Sequence, residues 1–200
     1  VCEYAGFTRY GHFAYMPMPG GDRASEEPWR MGAALLYQAY GKDMFNLRLP
    51  LFNAVDLSKI TLLAEAMDKK INCPLSSGAG RLFDAVAAIS GICMHSLFHA
   101  EAPMRLESAI DPAVSGSYPF SLSEEISFIP AIRQICEDMA TKTDAGVIAT
   151  KFHNTITEAS LQMVKKIQAM TGLWKVVLSG GTFQNKYLLE SLEKKLVNNN

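Results

Sequence analysis

The chain has 200 residues, with 19 Lys and Arg against 20 Asp and Glu for a formal net charge of −1; 48% of residues are hydrophobic and 20% charged. That composition excludes a disordered tail, which needs low hydrophobicity and high net charge. It also speaks against binding nucleic acid by bulk charge, because no basic excess exists to neutralise phosphates.

In chain order, the first expected element is strand-like. Tyr4, Phe7, Tyr10, Phe13 and Tyr15 alternate loosely between residues 3 and 18, and aromatics at this density favour strands. Pro17, Pro19, Gly20 and Gly21 then impose a turn. Glu27-Pro28-Trp29-Arg30 opens a helix that stops at Gly41, and a second follows the cap residue Asp56 with Ile60, Leu63, Ala64 and Met67 on one face. The small-residue loop Ser76-Ser77-Gly78-Ala79-Gly80 feeds an apolar helix expected from Arg81 to about Phe98. Another helix spans about Pro130 to Met139. Thr143 or Asp144 caps the longest, which runs to about Met170 and ends at Gly172. Trp174–Leu178 (WKVVL) reads as a buried strand, followed by Ser179-Gly180-Gly181 and a last helix from about Asn185 to Leu196.

No apolar run reaches the ~18 residues of a membrane span, and no basic stretch followed by an apolar one marks a signal peptide. Cys2, Cys73, Cys93 and Cys136 form no CxxC pair; three stand in apolar context and read as buried thiols of a reducing, cytoplasmic compartment. Both ends, Val1 without Met and Asn198-Asn199-Asn200, read as cuts in a longer protein. The expected class is α/β and mainly helical, with a sheet that is incomplete.

Two places carry chemistry. At VVL-SGG-TFQN, Gly180 and Gly181 let the backbone approach a ligand, and the following helix would aim unpaired N–H groups at the same point, which makes an anion site. A ligand-free strand–helix turn is the alternative. Asn185 beyond it can donate and accept toward a base edge or a ribose. At SSGAGRLFD, Asp84 sits in the first turn of a helix, where a carboxylate can accept from two ribose hydroxyls; stabilising the positive helix end is the competing role. His95 and His99 have the i,i+4 spacing of a metal pair, but no third ligand is evident, so a solvated helix end is preferred. His153-Asn154, polar within an apolar helix, reads as satisfied by an internal hydrogen bond, with a role near the ligand as the alternative. No spacing supports a catalytic nucleophile.

The blocks PMPGGDRASEEPWRMGAALLY, SSGAGRLFDAVAAISGIC, MRLESAI, YPF, KFHNTITEA and VVLSGGTFQNKYLLESL resemble, in order and spacing, the C-terminal part of the HypF family, the carbamoyltransferases of [NiFe]-hydrogenase maturation. The resemblance covers nearly the whole chain, residues 1–200. It implies an incomplete piece of a TsaD-like domain of the actin/hexokinase-like (ASKHA) ATPase superfamily. It further implies binding of ATP or carbamoyl adenylate, made from carbamoyl phosphate and ATP upstream, and transfer of the carbamoyl group to the C-terminal cysteine of HypE for cyanide synthesis. By motif match Asp84 looks like the ribose acid, Ser179, Gly180 and Gly181 the phosphate loop, and Asn185 the base- or ribose-proximal Asn. Glu101 stands where the family has Glu-Gly-Gln, here Glu101-Ala102-Pro103. The family's divalent-metal ligands would lie outside residues 1–200, so no metal ligand is expected within the chain. Two other readings stand beside this one. One is a threonylcarbamoyl transferase acting on tRNA, disfavoured by the neutral charge and the EPWRM block. The other is a packing or docking module without activity of its own.

Overall fold

The computed structural model describes residues 1–3 and 5–198. Tyr4 of the expected aromatic run, and Asn199 and Asn200 of the terminal run, lie outside the described residues. Helices carry the fold. α1 is a single turn, Arg23–Glu26, and α2 spans Pro28–Tyr40, with proline in its first turn and a stop at Gly41, where φ is 57°. α3 (Pro50–Ala54) and α4 (Leu57–Asp68) follow; Asp56 caps α4 by accepting from the Ser58 N–H at 2.8 Å.

α5 (Ala79–Ile89) packs along α2 to form the centre of the core. Small residues allow the close crossing: a Cβ on Gly32 would come 2.8 Å from Leu51 Cδ1 and 3.1 Å from Ala88 Cβ. Met31, Leu36, Leu82, Phe83 and Ile89 are buried around it, each stabilising the fold by about 1.5–3 kcal/mol relative to exposure.

The expected helix from Arg81 to Phe98 is cut short. Gly91 takes a left-handed φ of 81°, its N–H bonds Ala88 O, and the Ile92 N–H bonds Ala87 O. This is a Schellman stop, which only a residue tolerant of positive φ supplies cheaply. His95 and His99 consequently lie on an exposed loop rather than on one helix face. That loop leads through Ala100 (φ 62°) into α6, Glu101–Ser108, a helix not foreseen in the sequence.

α7 (Ile129–Ala140) and α8 (Ala145–Thr171) agree with expectation. The 27 residues of α8 span about 40 Å at 1.5 Å per residue. Asp144 is its cap, accepting from Gly146 N–H at 2.7 Å, and Gly172 (φ 71°) is its stop. Buried Thr150 and Thr155 bond back to their own helix and accept from the N–H of Asp111 (2.9 Å) and Tyr118 (2.8 Å), holding the 109–118 segment onto α8. α9 (Lys186–Asn198) packs on α8 through Leu188 and Leu192.

Strands are minor. β1 (Cys2–Glu3) pairs β2 (Gly6–Phe7), β3 (Met16–Pro17) pairs β4 (Leu75–Ser76), and β5 (Ser121–Leu122) pairs β6 (Ile126–Ser127), all antiparallel. The buried strand expected at 174–178 does not form. The segment makes no ladder, and Trp174 is 65% and Val177 86% exposed. A strand needs a neighbour to satisfy its N–H and C=O groups, and none of the described strands lies beside this one. Of the cysteines, Cys93 and Cys136 are buried, Cys73 is half-buried and Cys2 exposed, so two rather than three are core thiols; all four are free. Among the described residues no helix is long and apolar enough to cross a membrane.

Candidate nucleotide site

Asp84 sits in the second turn of α5, one residue beyond the core Phe83, and is 1% exposed. Arg81, three residues earlier, brings Nη2 to 2.9 Å from Asp84 Oδ2. The contact is close enough for an ion pair but not aligned as a hydrogen bond: Oδ2 of Asp84 and Nη1 of Arg81 are buried without a hydrogen-bond partner among the described residues. Burial dominates, and it pushes the Asp84 carboxyl up to about 7 against the opposing pull of Arg81. A buried carboxylate oxygen with unspent accepting capacity fits a hydroxyl donor such as a ribose diol. Arg81 is the participant that the sequence reading missed, although its i,i+3 spacing from Asp84 signals the pair.

Glu101 opens α6, which packs against α5. It is buried, and both of its oxygens are engaged. One accepts from the Leu97 N–H and the other meets Arg105 Nη2 at 2.6 Å. The Leu97 N–H, first, and Arg105 hold its carboxyl below the usual range. Asp84 and Glu101 lie near enough to Cys93 for both charges to raise its thiol pKa, after burial as the main cause. Helices α5 and α6 therefore bring the two acids to one neighbourhood.

Asn185 caps α9, its Oδ1 accepting from the Leu188 N–H at 2.8 Å, and its Nδ2 donates to His153 Nε2 at 2.9 Å. His153, wholly buried, turns Nδ1–H to Ala149 O at 2.7 Å. This pattern assigns the neutral tautomer with the proton on Nδ1. Burial lowers its pKa to about 4, with the Ala149 carbonyl opposing. The imidazole packs edge-on against Phe83, ring centroids 5.1 Å apart, so the Asp84 helix and the Asn185 cap meet at His153. Tyr187 completes the node. Its N–H donates to Glu107, its hydroxyl to Asn154, and Asn154 donates to Gly116 O.

No hydrogen bond or ion pair among the described residues joins Ser179, Gly180 or Gly181 to the two acids. All three are exposed. Gly180 adopts φ 99°, and a Cβ on either glycine would meet nothing within 4 Å, so backbone approach by a ligand is open. The last helix begins where the sequence places it, near Asn185, and not directly after the glycines. A 3-10 turn, Gly181–Gln184, intervenes, and α9 starts only at Lys186 with Asn185 over its end. Among the described residues no group of three or more His, Cys, Asp or Glu side chains could hold a metal ion.

A family model described as "Carbamoyltransferase, Kae1-like Domain, second subdomain" matches residues 1–200. The chain is 34% identical over 187 residues to a carbamoyltransferase HypF of Rhodobacter capsulatus, covering 93% of this chain and 24% of that protein. It is 32% identical over 202 residues to a HypF homolog of Cupriavidus necator, covering 95% and 50%. The chain thus spans a quarter to a half of the length of these relatives. Among solved structures, a full-length HypF in a phosphate- and nucleotide-bound form superposes with a TM-score of 0.86 at 33% identity, covering 97% of this chain and 30% of that one. T. kodakarensis HypF shares the fold, with a TM-score of 0.79 at 24% identity, covering 96% of this chain and 26% of that one. A match along the full length, with the fold of the HypF structures, means that the chain belongs to the HypF carbamoyltransferase family, in the second subdomain of its Kae1-like domain.

Proposed function

We propose that this chain supplies the nucleoside-holding part of a HypF carbamoyltransferase site in the maturation of [NiFe]-hydrogenase. The observation that carries the reading is Asp84, buried beside Arg81 with an oxygen that has no hydrogen-bond donor among the described residues. A ribose diol can supply that donor. Gly180 and Gly181, open and free of Cβ, offer backbone N–H groups to phosphate. Asn185 keeps one N–H and one lone pair for the base or ribose, and its His153 bond orients them. Glu101 acts through its hold on Leu97 and Arg105, shaping the loop at residues 90–100 that borders α5 and α6.

Bound carbamoyl adenylate would supply an activated carbamoyl group, and this chain's residues would hold its adenosine end. The acceptor is the C-terminal cysteine thiol of HypE, so none of the four cysteines here is required as nucleophile. Carbamoyl phosphate and ATP are substrates of the parent protein, placed in the cytoplasm. Membership of the HypF family favours this transfer over threonylcarbamoylation of tRNA.

Calorimetric titration of ATP and of adenosine into the full chain tests the reading. ATP is expected to bind, with Gly181→Asp weakening ATP but not adenosine, and Asp84→Asn weakening both. Equal ATP affinity in all three proteins would overturn the assignment, and binding confined to the intact parent would favour the docking-module alternative.

A further inference from the structure

The PGGD turn and the EPWR helix start are not used by the nucleotide site, yet they build a second one. With one face of α4 they line a cleft of about 560 Å³, within the roughly 300–1,000 Å³ of small-molecule sites. None of its lining residues belongs to the candidate nucleotide set.

Arg30 is its prepared group. Its guanidinium lies over the Trp29 ring at 4.7 Å, and its Nε donates to Glu27. Trp29 is itself fixed in the core at 3% exposure. Nη1 lies 3.0 Å from where a Cβ on Gly20 would sit, so a side chain there would crowd the guanidinium. Among the described residues the terminal nitrogens of Arg30 have no hydrogen-bond partner. A guanidinium fixed by face and by Nε, with its outer edge unspent, is suited to bidentate capture of a carboxylate or phosphate.

The surroundings extend that preference. Arg23 and Lys59 line the same cleft, and Arg23 makes no ion pair among the described residues. The two acids present are occupied: Glu27 by Arg30, and Asp56 by the Ser58 N–H that it caps. Val55, Leu62, Leu63, Ala66 and Ile71 add apolar surface to the same lining. The ligand that matches has an oxyanion at one end and a compact apolar body at the other.

We propose that this cleft binds a small organic anion of that kind, with Arg30 as the bidentate anchor and Arg23 and Lys59 as auxiliary charges. The proposal shares no residue with the nucleotide reading and stands or falls without it.

The probe is phenyl phosphate titrated into the full chain, followed by the indole N–H of Trp29, with the exposed Trp174 as internal control. Saturable shifts at Trp29 and not at Trp174 are expected, with a Kd of about 1 mM or below. Arg30→Gln should weaken binding about tenfold, the worth of one charge-assisted hydrogen bond. Exposed Lys59→Gln, which leaves packing intact, should weaken it about two- to fivefold. Benzoate in place of phenyl phosphate tells which head group the anchor prefers, and saturation by either supports the proposal. Inorganic phosphate should bind about tenfold more weakly for want of the apolar body. Failure of both organic anions to saturate by about 10 mM, equal affinity in wild type and both variants, or equal binding of inorganic and phenyl phosphate would overturn it.

Discussion

Asp84→Asn should stabilise the fold while weakening nucleoside binding. The carboxyl ionises near pH 3.8 when unfolded and at about 7 when folded, because burial outweighs Arg81. Between those values the folded chain keeps a proton that the unfolded chain releases, so stability falls as pH rises through the window. At 1.36 kcal/mol per unit, the raised pKa of Asp84 costs stability about 4 kcal/mol at pH 8, where the folded carboxyl is ionised, and about 2 kcal/mol at pH 5, where the unfolded one is. Asparagine carries no such cost. Arg81, 16% exposed, loses its neighbour but can turn toward water. The net gain at pH 8 is then about 2–3 kcal/mol, and it shrinks by about 2 kcal/mol at pH 5. Urea unfolding of both proteins at the two pH values reads this directly. A variant less stable than wild type at pH 8, or a difference independent of pH, would refute the reasoning. The functional half uses adenosine, which has no titrating phosphate: its affinity for wild type should rise about tenfold from pH 6 to pH 8 as the carboxylate forms. Such opposition of stability and binding is what a strained ligand site produces.

Three further outcomes follow from the fold. His153 is buried with a pKa of about 4 against 6.5 when unfolded. The unfolded chain therefore takes the proton first, and wild type should lose about 2 kcal/mol between pH 7 and pH 4.5 from this group; His153→Gln should flatten that part of the profile, and parallel profiles would contradict the assignment. Gly91→Ala must hold φ 81° and set a Cβ 3.1 Å from Pro50, so thermal unfolding should show a loss of about 1–2 kcal/mol. Val177→Lys, at a position 86% exposed, should change the stability of this chain by less than about 0.5 kcal/mol; a loss several times larger would mean that the 174–178 segment is packed.

Local signals were legible where the deciding interaction is local. Pro28 and Gly41 bound α2, Asp56 starts α4, and Asp144 and Gly172 bound α8, because each terminus is settled by a cap or a backbone angle within a few residues. His153 and Asn154 are satisfied internally, as their setting in an apolar helix implies, through Ala149, Asn185 and Gly116. The stop at Gly91 is not legible in the sequence, because the apolar pattern runs on through Ile92, Cys93 and Met94, and a glycine within such a pattern is not by itself a terminus.

The candidate site divides along the same line. Taken alone, the sequence determined the residue types and order that place the chain in its family, the glycine turn at 180–181, and an acid in an early turn of α5. Tertiary structure decided that Asp84 is buried with spare accepting capacity, that Glu101 is committed to Leu97 and Arg105, and that Asn185 serves α9 and His153. It also decided that WKVVL has no ladder to join among the described residues. A cap or a turn is closed by neighbours in the chain. Burial, strand pairing and the number of free hydrogen-bonding positions depend on which distant segments arrive, and that information exists only once the chain has packed.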